Sequence, residues 1–241
     1  MFFQEHISRA MVGYLTGVVS NYQRRVPNDL DQLLGLVRPG DVLLVEGNAR
    51  ISQIVMYMSQ SSWSHAAMYL GDALLRWGGP EAERAVERFG PESSQLLIES
   101  DLKEGVSVLP LSRYLEQNLR ICRPLGLGPD DLERVLAEML QHLGVRYDQR
   151  NILDLARYLI PLNLFPRRFR RRSLYLGSSS SREVICSALI AKAFYRVGIA
   201  IQPPVQPQRA GEAISVRHPS YIMPRDFDLS TNFQILKPTG T

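Results

Sequence analysis

The chain has 241 residues, of which 45% are hydrophobic and 22% charged, and it carries a net charge of +4 with a pI near 9.2. That much apolar material can build a core, which excludes a disordered or fibrous chain, and so mild a basic excess permits an anionic partner without requiring one. Two cysteines, Cys122 and Cys186, exclude a disulfide framework, and His6, His65, His142 and His218 show no zinc-like spacing, so neither a metal nor a cofactor is expected.

Along the chain, Phe3, Ile7, Met11, Leu15 and Val18 recur at three- and four-residue spacing and predict a helix over residues 1–25 with its stripe facing a core. This gives an N-terminal helical extension over 1–30, with one domain following over 31–241. The N-terminus lacks the basic region, apolar run and small-residue cleavage site of a secretory signal. No span reaches the ~20 apolar residues of a transmembrane helix, so a cytoplasmic protein is expected. Pro39-Gly40-Asp41 reads as a turn leading into a buried strand at Val42–Val45. A helix is predicted over 49–60, and a strand over Ala66–Leu70 entered by Trp63-Ser64-His65 and closed by Gly71-Asp72. The polar stretch 76–94 reads as an excursion. Leu96–Ser100, Gly105–Leu109 and Leu119–Arg123 read as strands, and Pro129 opens a helix to about His142, with Gly144 as its stop.

Residues 152–172 have an unusual makeup. The apolar run Ile152, Leu153, Leu155, Leu159, Ile160, Leu162, Leu164 and Phe165 abuts Pro166 and then Arg167, Arg168, Arg170, Arg171 and Arg172. It reads either as a core helix followed by a solvated basic loop or as an interfacial anchor for anionic headgroups. No basic groove with interleaved aromatics accompanies the arginines, so a nucleic-acid partner is not expected. Ser178–Ser181 connect this apolar and Arg-rich insertion (about 150–180) to a helix over Glu183–Val197 that carries Cys186 in its first turn. The proline-bearing tail is loop-rich, with a last strand at Phe233–Leu236.

Cys186 and His65 are the residues that could carry chemistry. A thiolate is the reactive form of cysteine, and a helix N-terminus favours it through the dipole and the free N–H groups. Taken alone, a cysteine in such a place is more often a packing residue, and a lone histidine at a strand mouth is commonly structural. The company of Glu99 at the end of Leu96-Leu97-Ile98 adds weight to His65: if the two strands are neighbours, a carboxylate can orient the imidazole and stabilise its charged form.

Four segments in order then resemble the circularly permuted branch of the NlpC-type papain-like hydrolases, the YiiX-like proteins. They are Arg38-Pro-Gly-Asp-Val-Leu-Leu-Val, Trp63-Ser-His-Ala-Ala-Met-Tyr-Leu-Gly, Leu97-Ile-Glu-Ser and Val184-Ile-Cys-Ser-Ala-Leu-Ile-Ala-Lys-Ala-Phe. This branch places the histidine strand before the cysteine helix, as His65 precedes Cys186 here, and Gly144-Val-Arg-Tyr147-Asp148 matches its Gly-x-x-Tyr-Asp element. The resemblance implies an α+β, permuted papain-like fold: a small, mostly antiparallel sheet packed on the helix that bears the nucleophile. It further implies Cys186 as nucleophile, His65 as general base and Glu99 as the orienting third residue, with the Cys186 N–H as oxyanion donor. Tyr147, Ser64 and Ser187 are the candidate substrate-binding residues beside them. The family carries a glutamate two residues after the cysteine, where this chain has Ala188.

The implied reaction is acyl transfer to water through a thioester, with no cofactor, on an amide bond of a peptide or amino-acid conjugate. Two alternatives stand beside it. One is a lipid acyl hydrolase or acyltransferase, held peripherally on an anionic membrane by Arg167, Arg168, Arg170, Arg171 and Arg172. The other is a non-catalytic cleft that only holds a small-molecule ligand.

Overall fold

A computed structural model describes residues 13–19, 22–25, 27–101, 104–145, 186–202 and 218–238. Its frame begins with α1 (Leu30–Leu36), started by Asp29, whose side chain accepts the Gln32 N–H, and ended at the turn before β1 (Val42–Glu46). Asp41 explains that turn. It is 1% exposed, accepts the Arg38 N–H at 2.9 Å, and receives Arg123 Nε at 3.0 Å and Nη2 at 2.7 Å. Arg123 Nη2 also donates to the Leu36 carbonyl at 2.5 Å, so one buried ion pair ties the turn, α1 and a distant strand together. Gly40 sits at φ +89°, and a Cβ there would meet Leu132 Cδ1 at 2.7 Å, which leaves glycine as the fitting residue.

Next come α2 (Arg50–Ser59), β2 (His65–Gly71), α3 (Ala73–Trp77), α4 (Pro80–Phe89) and a 3-10 turn at Gly90–Ser94. Then follow β3 (Leu96–Asp101), β4 (Gly105–Pro110), a 3-10 turn at Leu111–Tyr114, β5 (Asn118–Pro124) and α5 (Pro129–Leu140). The chain closes with α6 (Cys186–Arg196), a 3-10 turn at Pro219–Tyr221, α7 (Pro224–Asp228) and β6 (Phe233–Leu236). Among the described residues the strands form one antiparallel sheet of six, ordered β4-β3-β2-β1-β5-β6. The mixed α+β class expected from the sequence is the class observed.

Side chains alternate across a strand, so the sheet has two apolar faces. On one, Val42, Leu44, Ala66, Met68, Ile98 and Cys122 pack with Val135 and Met139 of α5 and with Ile190, Ala191 and Phe194 of α6. Phe233 stands edge-on to Phe194 and Phe227 at 5.2 and 5.4 Å, which seats the C-terminal segment on this side. On the other, Leu43, Val45, Ala67, Tyr69, Leu97 and Ile121 are covered by Leu33 and Val37. Burial on both faces is why the central strands read as continuous apolar runs rather than as alternating patterns.

The structure departs from the sequence reading in four places. The predicted N-terminal helix does not run to 25: residues 13–15 are helical, but Val18 forms a bridge with Ala49 and is 66% exposed rather than core-facing. Gly17 is the reason, since its carbonyl accepts the Arg50 N–H and the Arg50 guanidinium lies where a side chain would be. The stretch 76–94 is helical for most of its length, with Ala82 and Ala85 turned inward. The tail holds the short helix α7 inside what reads as loop, and α1 lies where no element is predicted. Among the described residues no helix is long and apolar enough to cross a membrane. The apolar and arginine segment 152–172 and the flanking part of the insertion lie outside the described residues.

Candidate functional site

Three elements bring the candidate residues to one end of the sheet. His65 opens β2, Glu99 lies close to the end of β3, and Cys186 is where the described part of α6 begins. β2 and β3 are adjacent, in the register Met68↔Ile98, Tyr69↔Leu97 and Gly71↔Leu96. Just ahead of that ladder His65 Nε2 meets Glu99 Oε2 at 2.8 Å, the two side chains being 20% and 9% exposed.

Cys186 arrives from the α6 side. The Ala66 N–H donates to its Sγ at 3.4 Å, which places the sulfur beside the residue that follows His65. With Nε2 engaged by Glu99, Nδ1 is the ring nitrogen left for the thiol. Burial pulls the His65 pKa down, but electrostatic interaction with Cys186, then with Glu99, and hydrogen bonding to both hold it well above the usual histidine value. Burial likewise opposes ionisation of Glu99. The His65 charge outweighs it, together with hydrogen bonds from His65 and Tyr114 and the nearby Arg113, and the carboxyl falls below its usual range. An imidazole held between a carboxylate and a thiol can take a proton from the sulfur and return it.

Tyr114 carries no signal in periodicity or spacing, yet its hydroxyl donates to Glu99 Oε2, the oxygen that also meets His65. Its ring lies 6.2 Å from the imidazole. Burial and the adjacent Glu99 push the phenol well above its ordinary pKa, so the hydroxyl keeps its proton.

The two serines face backbone. Ser64 Oγ accepts the Gly47 N–H at 2.9 Å and donates to the Val45 carbonyl, which locks the entry to β2 onto the end of β1. Ser187, fully buried, donates to the Ile222 carbonyl at 2.6 Å and pins the tail beside the first turn of α6. Ala188, where the resemblance expects glutamate, is 4% exposed and packed. Tyr147 lies outside the described residues, as do Arg167, Arg168, Arg170, Arg171 and Arg172. Cys122 is 0% exposed in the middle of β5, and burial pushes its thiol far up, which suits a packing residue.

A second cluster stands on the α6 face next to the site. Trp63 Nε1 donates to Asp228 Oδ2 at 3.1 Å, and Arg120 Nη1 reaches both Asp228 oxygens at 2.6 and 2.7 Å while stacking 4.9 Å over the Trp63 ring. Asp228 ends α7, so the cluster ties α7 to the residues entering β2 and to β5, while Ser187 holds the chain just ahead of α7. Among the described residues no group of three or more His, Cys, Asp or Glu side chains is placed to hold a metal ion.

No protein-family model and no curated protein matches the chain. A solved structure with a similar fold is the metalloprotein yiiX from Escherichia coli O157:H7, at a TM-score of 0.52 and 12% identity, the match covering 85% of this chain and 98% of that one. At that identity the likeness speaks to the fold alone: the chain has a YiiX-like, mixed α+β fold.

Proposed function

We propose that the chain is a papain-like thiol hydrolase of the circularly permuted type, acting on an amide bond of a peptide or amino-acid conjugate. One observation carries the reading: His65 Nε2 meets a buried carboxylate at 2.8 Å, and the Cys186 sulfur takes the N–H of Ala66, the next residue along the same strand. A packing cysteine needs neither an imidazole nor a carboxylate behind it. The YiiX-like fold supports the same reading, as do the motifs that put His65 before Cys186.

In this mechanism His65 takes the Cys186 proton and the sulfur attacks the carbonyl carbon, breaking the C=O π bond onto oxygen. The Cys186 N–H is the oxyanion donor implied by the resemblance. The imidazolium then gives its proton to the departing amine as the C–N bond breaks, leaving a thioester. Water attacks that thioester with His65 as base, and the acid leaves as the thiol is regenerated. Glu99 keeps the ring oriented and offsets its charge throughout.

The test is a side-by-side screen of purified protein and Cys186→Ala on dipeptide amides and on phospholipid vesicles. Amide turnover lost in the variant supports the reading. Turnover of phospholipid alone would move the substrate to a lipid acyl group, in line with the Arg-rich segment. An iodoacetamide rate for Cys186 equal to that of an ordinary thiol, with no turnover of either class, would leave a ligand-holding cleft.

A further inference from the structure

Glu99 Oε2 accepts from two sides, from His65 Nε2 of β2 and from the Tyr114 hydroxyl of the 3-10 turn after β4. The turn is itself fixed: the Leu111 N–H donates to the Gln95 carbonyl at 2.9 Å, Leu111 is fully buried, and the Tyr114 ring packs against the core that also holds Ala67 and Leu97. A hydroxyl delivered by so rigid a support is aimed rather than free.

We propose that Tyr114 is a positioning residue of the site, which seats Glu99 on the imidazole by donating to the same carboxylate oxygen that receives His65. The inference rests on the thiol-hydrolase reading of Cys186 and His65. A carboxylate that accepts from one donor can rotate about its last bond, whereas two donors converging on one oxygen remove that freedom. The groups facing Glu99 are His65 from β2 and Arg113 and Tyr114 from the turn; those facing Tyr114 are Glu99 and Asp101 from β3 and Cys186 from α6. Among them Tyr114 acts as a neutral donor, so its loss leaves the charges in place and alters how firmly the carboxylate anion is held. Glu99 then protonates at a higher pH and, once protonated, stops supporting the imidazolium.

The experiment is the pH dependence of iodoacetamide alkylation at Cys186, read by mass spectrometry of the Cys186 peptide in the wild type, Tyr114→Phe, Tyr114→Leu and Glu99→Gln. The wild type is expected to react well below pH 8. Both Tyr114 variants should move the lower inflection of the profile, where the thiolate–imidazolium pair forms, upward by about one pH unit, with a smaller change in the upper inflection, where the imidazolium loses its proton and a free thiolate remains. Glu99→Gln should instead bring the upper inflection to lower pH, because it removes the charge that supports the imidazolium. A merely structural tyrosine would lower the melting temperature and leave both inflections where they are. Unmoved inflections in folded Tyr114→Phe, beside a moved upper inflection in Glu99→Gln, overturn the proposal while the hydrolase reading survives. Loss of fold in both Tyr114 variants makes the residue structural and overturns it as well. A wild-type Cys186 that reacts only as an ordinary thiol overturns the hydrolase reading itself.

Discussion

Replacing Glu99 by glutamine isolates the charge of the carboxylate while preserving its shape. The carboxamide oxygen can still accept from His65 Nε2 at the present 2.8 Å, and from Tyr114, so the variant deletes a charge rather than a contact. A hydrogen bond to a charged partner contributes about 1.5–3 kcal/mol, and a neutral one about 0.5–1.5. Because the variant keeps a neutral hydrogen bond in place of the charged one, about 1–1.5 kcal/mol is at stake, which at 1.36 kcal/mol per decade is a loss of about 5- to 13-fold in kcat/KM. The pH profile gives an independent sign. Glu99 is among the causes that raise the His65 pKa, so its neutralisation must lower that pKa and bring the basic limb to lower pH. Stability follows the same linkage. The raised His65 contributes stability below its unfolded value, lost as pH rises through the folded value; the lowered Glu99 contributes above its unfolded value, lost as pH falls through the folded one. The melting-temperature gap between wild type and variant should therefore be widest between about pH 4.3 and 6.5 and shrink on both sides. A variant with unchanged kcat/KM, an unmoved basic limb and a pH-independent gap would refute the assignment of Glu99 to His65.

Cys186→Ser should abolish turnover with a wild-type melting curve, and His65→Ala should be nearly as damaging, whereas Cys122→Ala should keep full activity; an inactive Cys122→Ala would relocate the nucleophile. Asp41→Ala leaves the Arg123 guanidinium without its buried acid and should cost about 3–5 kcal/mol, a fall of about 6–20 °C in thermal melting at roughly 2–4 °C per kcal/mol. Arg167, Arg168, Arg170, Arg171 and Arg172, at about 1 kcal/mol each near an anionic surface, predict binding to anionic liposomes that weakens as salt rises and is lost when several become serine. Indifference to such liposomes at low salt would remove the anchor.

What could be read from the chain beforehand divides along physical lines. The strands were legible because burial on both faces makes them unbroken apolar runs, and Gly40, Gly71 and Gly105, all with positive φ, flank or close them. Their adjacency was partly legible, since Glu99 could serve His65 only if β2 and β3 were neighbours, which they are. The helices over 73–89 were not legible. Gly78, Gly79 and Pro80 break the periodicity between them, and their inward residues are mostly alanines, whose apolar signal is weak. Tyr114 was hidden for a different reason: it meets Glu99 across 15 residues through a turn after β4, and no spacing rule encodes a contact made by the path of a loop. Ser64 and Ser187 look like site residues because they flank His65 and Cys186, but a hydroxyl beside a strand or helix start finds backbone partners, and both did.

The site falls where it does because only the end of a sheet lets its two faces meet. His65 and Glu99 share the side-chain parity of Ala67, Tyr69 and Leu97, whereas Cys186 belongs to the cluster of Ala66, Met68 and Ile98 on the other face. Within a ladder every backbone N–H has a strand partner, and a sulfur on one face would be screened from a histidine on the other. Ahead of the β2–β3 register the Ala66 N–H goes to Cys186 Sγ, so the sulfur stands level with the strands and within reach of the ring. That placement demands a helix that cannot slide. Ser187 ties the first turn of α6 to the Ile222 carbonyl, Phe194 is fully buried against Phe233, and Arg196 Nη1 meets the buried Glu138 of α5 at 2.6 Å. The thiol is thus positioned by restraints along the length of its helix, and the imidazole by restraints on two neighbouring strands. The two sets meet at the sulfur, and the chain order of histidine and cysteine is free to vary as long as both elements reach the same end of the sheet.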